Sequence, residues 1–223
     1  MILMDSGGHH PMPAPKPGLS PVPEKTRGFR LQVDLRQTKP PVWRRIDVPG
    51  DIALLELHGV LQAAMGWTDS HLHRFRTGGG YGSAALLSPF DVEEGEDGLP
   101  ESDVRLDQVV AAPGDRLWYD YDFGDGWKHV LLVEKVLEDP PEAPVCIKGR
   151  LACPPEDCGG IRGYQEIADW VRSGYNEGRR PDVFDSSDEA IDWLPPDWHP
   201  DLFDIEEAND RMAGPPEELR HFW

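Results

Sequence analysis

Hydrophobic residues alternate at Phe29, Leu31, Val33 and Leu35, and a period of two commits the start of the folded chain to a strand with one buried face. Pro40-Pro41 cannot continue a hydrogen-bonded ladder and forces a turn, so Val42 to Val48 reads as the returning strand of a hairpin. The period then changes. Leu54, Leu57, His58, Leu61, Ala64 and Met65 recur at helical spacing between Asp51 and Gly66, which carry the start and stop signals of a helix. A half-buried hairpin running into one amphipathic helix excludes an all-helical chain and predicts an α+β layer arrangement.

Further along, His71 to Thr77 alternates as a strand, and the acidic segment from Asp91 to Asp103 reads as a solvated loop. Leu117 to Asp122 and Trp127 to Leu137 form two more strands joined by the tight turn Phe123-Gly124-Asp125-Gly126, in which Asp125 and Gly126 are expected to take left-handed conformations. Tyr164 to Val171, Ser187 to Trp193 and Phe203 to Met212 have helical spacing. The order predicts a β-grasp-like mixed sheet packed on one main helix, with a helical C-terminal appendage. Residues 1–26, with Pro11, Pro13, Pro15, Pro17, Pro21 and Pro23, read as a disordered Pro-rich tail. One domain is expected over 27–213, made of a sheet-and-helix core at 27–140, a cysteine loop at 141–162 and C-terminal helices at 163–213, followed by a tail at 214–223.

Composition narrows the classes. A chain of 223 residues with 39% hydrophobic residues suits one core. No apolar run approaches the roughly 20 residues of a membrane span, and Ile2 to Met4 lacks the basic flank of a signal peptide, which predicts a cytoplasmic protein with no membrane partner. Cys146, Cys153 and Cys158 fall within thirteen residues in a chain with no export signal, favouring thiols or metal ligands over disulfides. The net charge of −19 repels phosphate backbones, so direct nucleic-acid binding would need a local basic footprint. The expected partner is another protein.

Two places concentrate side-chain chemistry. The spacing Cys146-x6-Cys153-x4-Cys158, with Pro154, Gly159 and Gly160 for turns and His129 as fourth donor, fits a tetrahedral Cys3His structural zinc site; buried packing of the same cysteines is the competing reading. His71 and His73 stand two apart on a strand and point to one face, where they could meet Asp122, Asp125 or His129 and hold a divalent metal that activates water; histidines on a solvent face are the bland alternative. His129 can serve only one of these sites. The triplet Asp122-Phe123-Gly124 has no glycine-rich nucleotide loop or catalytic loop to accompany it and reads as turn chemistry. Trp43, Trp67, Tyr121 and Trp127, with Arg44 and Arg45, are candidates for a groove that takes a peptide or small ligand; core packing is the ordinary role of such aromatics. Arg44 and Arg45 point to opposite faces, so at most one can line it.

Four segments carry a family resemblance: Lys39-Pro40-Pro41-Val42-Trp43-Arg44-Arg45-Ile46, Gly66-Trp67-Thr68-Asp69-Ser70-His71-Leu72-His73-Arg74-Phe75, Tyr119-Asp120-Tyr121-Asp122-Phe123-Gly124-Asp125-Gly126-Trp127-Lys128-His129, and Cys153-Pro154-Pro155-Glu156-Asp157-Cys158-Gly159-Gly160. Together they resemble the plasmid pRiA4b ORF-3-like family, whose members also carry a transposon-passenger, resolvase-like label, over residues 28 to 212. The resemblance implies an accessory protein of bacterial plasmids or mobile elements. It implies no recombinase here, because serine recombination needs an early nucleophilic Ser among arginines and the early serines, Ser6 and Ser20, lie in the tail. With no complete set of nucleophile, base and oxyanion donors, the first expectation is a non-catalytic interaction domain, with zinc as its candidate stabiliser. The alternatives are a metal-dependent hydrolase or nuclease built on the His/Asp cluster, and an acidic mimic of nucleic acid.

Overall fold

The computed structural model describes residues 17–80 and 83–214. The first hairpin is β1 (Gly28–Leu35) and β2 (Val42–Pro49), and the helix after it is α1 (Leu54–Met65). Then come β3 (His73–Arg76), the short helices α2 (Pro89–Glu93) and α3 (Leu106–Val109), and the second hairpin of β4 (Arg116–Tyr121) and β5 (Trp127–Leu137). The strand β6 (Val145–Arg150) precedes α4 (Gly160–Arg172), α5 (Ser187–Trp193) and α6 (Ile205–Met212).

The strands form one sheet in the order β3-β4-β5-β1-β2-β6. The α+β class is as expected, with the sheet packed on one main helix, but every pairing is antiparallel where a mixed sheet was expected. Short turns close both hairpins and permit only antiparallel neighbours, and α1 connects β2 to β3, which three other strands separate. No crossover therefore joins adjacent strands.

Alternation sorts the two faces. Leu31, Val33, Leu117, Tyr119, Trp127, Leu131 and Val133 point inward against Leu54, Leu57, Leu61 and Ala64 of α1. The other face is polar, crossed by Arg30 with Asp47, Arg45 with Glu134, and Arg76 with Asp120. Gly66 closes α1 in the left-handed conformation at φ 89°, as its position predicts. The helix starts after Ala53 rather than at Asp51, with Glu56 accepting from the Ala53 N–H at 3.4 Å.

The structure corrects three expectations about the ends and loops. Cys146 lies in β6, an edge strand, and not in a loop. The acidic segment is solvated from Val92 to Gly98 as expected, but its ends are not: Asp91 is buried in α2, and Glu101, in a 3-10 turn at Glu101–Asp103, is only 1% exposed. The Pro-rich segment touches the core from Leu19 onward, with the Ser20 N–H donating to the Gln108 carbonyl at 2.8 Å; residues 1–16 and 215–223 lie outside the described residues.

Candidate functional site

The chain leaves α1 at Gly66 and turns back beside the hairpin end of β4 and β5. Trp67 anchors this turn: its indole stacks on Tyr121 at 4.9 Å and its Nε1–H donates to the Pro154 carbonyl at 2.9 Å. Glu156 ties the same three segments together. It accepts from the Thr68 hydroxyl and from the Tyr121 hydroxyl, each at 2.5 Å, while the Ser70 N–H donates to the Tyr121 oxygen at 3.1 Å. The turn between β4 and β5 faces them. Asp122 there adopts φ 51°, and its Oδ1 accepts from the N–H groups of Gly124 and Asp125. Asp122 and Gly126 take the left-handed conformations; Asp125 does not, and its carboxylate instead accepts from the Gly159 N–H at 3.2 Å. Gly160 must be glycine, since a Cβ there would sit 2.6 Å from the Asp125 carbonyl oxygen.

This convergence makes two clusters of donors. At the surface, His71 Nε2 lies 3.2 Å from Asp157 Oδ1 and 3.8 Å from Asp122 Oδ2, and the three donor atoms lie within 4.8 Å of one another. His71 Nε2 is buried and meets no hydrogen-bond partner at these angles among the described residues. Asp122 Oδ2 is equally unspent, because the turn uses Oδ1. Asp69, Asp122 and Asp157 all hold left-handed backbone, at φ 57°, 51° and 57°, a conformation that costs a non-glycine residue on the order of 1 kcal/mol.

The second cluster centres on the buried His58 and His73, with Asp69 exposed at its edge. His58 donates or accepts at Tyr119 Oη (2.8 Å) and Asp69 Oδ1 (2.8 Å), and Gln62 adds a bond to the same Tyr119 oxygen at 2.8 Å. The His73 ring stacks on that of His58 with centroids 3.5 Å apart and reaches Glu101 Oε1 at 2.7 Å. Asp69, His58 and His73 have the spacing of a ligand set, but both His58 nitrogens and His73 Nε2 are already engaged, so the network serves chiefly to fix the turn that presents His71.

The predicted site residues therefore separate. His71 and Asp122 meet, with Asp157 as their third member. His73 points into the second cluster, because His71 precedes β3 and strand alternation does not govern it. Asp125 braces a loop. His129 is wholly buried, donating from Nδ1 to the Tyr119 carbonyl at 3.2 Å, with Trp67 across its edge.

The Cys3His set does not assemble. His129 on β5 and Cys146 on β6 are separated by β1 and β2, three strand spacings or about 14 Å, too far to share an ion. Cys153 packs on Met65 at 3.3 Å, burial pushes its thiol up to about 12, and burial also raises Cys146 and Cys158. Of the groove candidates, Arg44 and Trp67 line a cavity of about 770 Å³ between the cysteine loop and the C-terminal helices. Tyr121 and Trp127 are buried, while Trp43 and Arg45 stand on the opposite sheet face.

Sequence reading missed Asp157, His58, Gln62, Asp69 and Glu101. His58 and Gln62 were visible as polar residues four apart on the core stripe of α1, where neither belongs unless partnered.

The family model for plasmid pRiA4b ORF-3-like protein matches residues 27–207. Uncharacterized protein y4hQ of Sinorhizobium fredii (strain NBRC 101917 / NGR234) is 42% identical over 143 residues, which cover 63% of this chain and 71% of that protein. A protein of unknown function from Methanosarcina mazei Go1, MM3350, has a crystal structure similar to this fold at a TM-score of 0.64 and 29% identity, covering 82% of this chain and 96% of its own.

Proposed function

The chain belongs to the plasmid pRiA4b ORF-3-like family, and from that premise we propose that it is a divalent-cation-dependent hydrolase whose ion is held by His71, Asp122 and Asp157. The observation that carries this reading is the unspent His71 Nε2 with two carboxylate oxygens at 3.2 and 3.8 Å. Donors about 2.1 Å from one ion lie roughly 3 to 3.5 Å apart at octahedral or tetrahedral angles; the 3.2 Å pair has that spacing, and binding an ion would draw the 3.8 Å pair closer. One imidazole and two carboxylates suit zinc or manganese. Three protein ligands leave positions for water and substrate, and a bound water of lowered pKa is the nucleophile such a site supplies. Asp157 is exposed, which leaves one side of the shell open to solvent.

Equilibrium dialysis of chelator-stripped protein against Mn²⁺ or Zn²⁺ tests the reading. About one ion per chain is expected, with affinity falling about tenfold or more in His71→Ala and in Asp157→Asn at unchanged thermal stability. Wild-type protein that takes up no ion, or His71→Ala that binds as well as wild type, rejects it. A Cys153→Ser variant should bind normally, which separates this site from a cysteine-held zinc.

The groove favours a second, non-catalytic reading. Trp67, Trp198 and Phe203 wall it, and Leu202 at its rim is 62% exposed, a surface suited to a peptide of another protein. In that case capture of a partner survives chelation and is lost in Leu202→Asp; capture that needs the ion or ignores Leu202 speaks against it.

A further inference from the structure

The polar face of the sheet carries a cationic groove that the chain's net charge of −19 conceals. Arg36, Arg74, Arg76, Arg116 and Lys128 surround a cavity of about 860 Å³ over β3, β4 and β5, with Trp118 in its floor. The register explains the concentration. Arg74, Asp120 and Lys128 face one another across neighbouring strands, and Arg76 and Trp118 form the next row. The single carboxylate in the groove, Asp120, is spent on Arg76, which binds it at 2.9 and 3.2 Å. Arg74 reaches Asp91 outside the groove at 3.3 Å. Among the described residues Arg36, Arg116 and Lys128 have no ion pair, so the groove is an uncompensated positive surface.

The loop beyond β3 roofs this groove with glycines. A Cβ on Gly79 would meet the Trp118 indole at 2.7 to 3.0 Å, so only glycine lets the backbone lie on that ring. Arg76 Nη1 donates to the carbonyls of Gly78 and Gly80 at 3.3 and 3.5 Å and holds them against the sheet. A row of guanidinium and ammonium groups is the main component of a phosphate site, and an aromatic floor adds a stacking surface.

We propose that this groove binds nucleotide phosphate, as one or two units of a single-stranded nucleic acid. The volume is that of a small-molecule pocket, which matches a short stretch of strand. The surrounding negative charge repels polyanions elsewhere and confines binding to this face. The groove shares no lining residue with His71, Asp122 and Asp157, and its occupation does not require a metal.

Fluorescence anisotropy of a short fluorescein-labelled oligothymidylate, at low salt and with EDTA present, tests the proposal. Saturable binding is expected, weakening with salt at a log–log slope of about −1.4, for about two phosphates neutralised at roughly −0.7 each. The double variant Arg116→Glu, Lys128→Glu alters two exposed side chains and should bind about tenfold more weakly or less, with an unchanged unfolding temperature. Competition by ATP as well as by unlabelled strand identifies a free nucleotide as sufficient; competition by strand alone identifies the polymer. No binding of either probe at low salt, or a double variant that binds as tightly as wild type, overturns the proposal.

Discussion

At the scale of single residues, burial decides which titratable groups have chemistry to offer. His129 lies wholly inside the sheet, and burial pushes its imidazole down to about 4 from 6.5. The folded protein keeps it neutral across that interval, while the unfolded chain takes up a proton below about pH 6.5. Stability should therefore fall as pH drops from about 6.5 to about 4, by on the order of 3 kcal/mol from this group alone. Denaturant midpoints near pH 7 and about pH 4.5 measure the loss; His129→Phe should show a smaller one, and an equal loss in the variant would exclude His129 as its source. Its distance from Cys146, with β1 and β2 between them, removes His129 from the metal set in which its sequence position had placed it. The pairing of His71 with Asp122 in the sequence rests on the premise that strand alternation aims His71 and His73 at one face; the pair meets in the structure, but the premise fails, because His71 precedes β3. Asp157 was not legible, since its place opposite His71 depends on a loop folding across the sheet from more than eighty residues away.

At the scale of elements, the strands and the main helix were legible wherever periodicity was strong. β1, β5, α1 and α5 fall within a residue or a few of their sequence signals. β6 was not legible, because Val145 to Arg150 is short, contains Gly149 and stands at an edge. Its outer side is closed by a side chain: Asn209 of α6 accepts from the Cys146 N–H at 2.8 Å and donates to the Cys146 carbonyl at 3.0 Å, completing a ladder that has no seventh strand. Arg44 fixes the neighbouring end of α1 by donating to the Ala64 carbonyl at 2.9 Å, beneath the Phe203 ring. Asn209→Ala should thus cost about 1 to 3 kcal/mol and increase proteolysis around α6. Limited proteolysis at equal stability and equal rate in the variant would show that the edge needs no such cap.

For the molecule as a whole, the fold separates its charges and its chemistry. One sheet face and α1 bury the core, the other face gathers cations, and the strand ends beside the turn at Asp122 gather unspent donors. Among the described residues no helix is long and apolar enough to cross a membrane. The net charge was readable from composition, but its uneven distribution follows from strand register, which only the assembled sheet supplies. The resemblance of four separated segments to one family acquires a physical reason in the same way, since three of them meet around Tyr121 and Glu156. The most direct test of the central claim is an anomalous difference map from crystals soaked in Mn²⁺. A single strong peak about 2.1 to 2.4 Å from His71 Nε2 and from oxygens of Asp122 and Asp157 is the predicted result. A map empty at that position, or a peak among Cys146, Cys153 and Cys158, would contradict it.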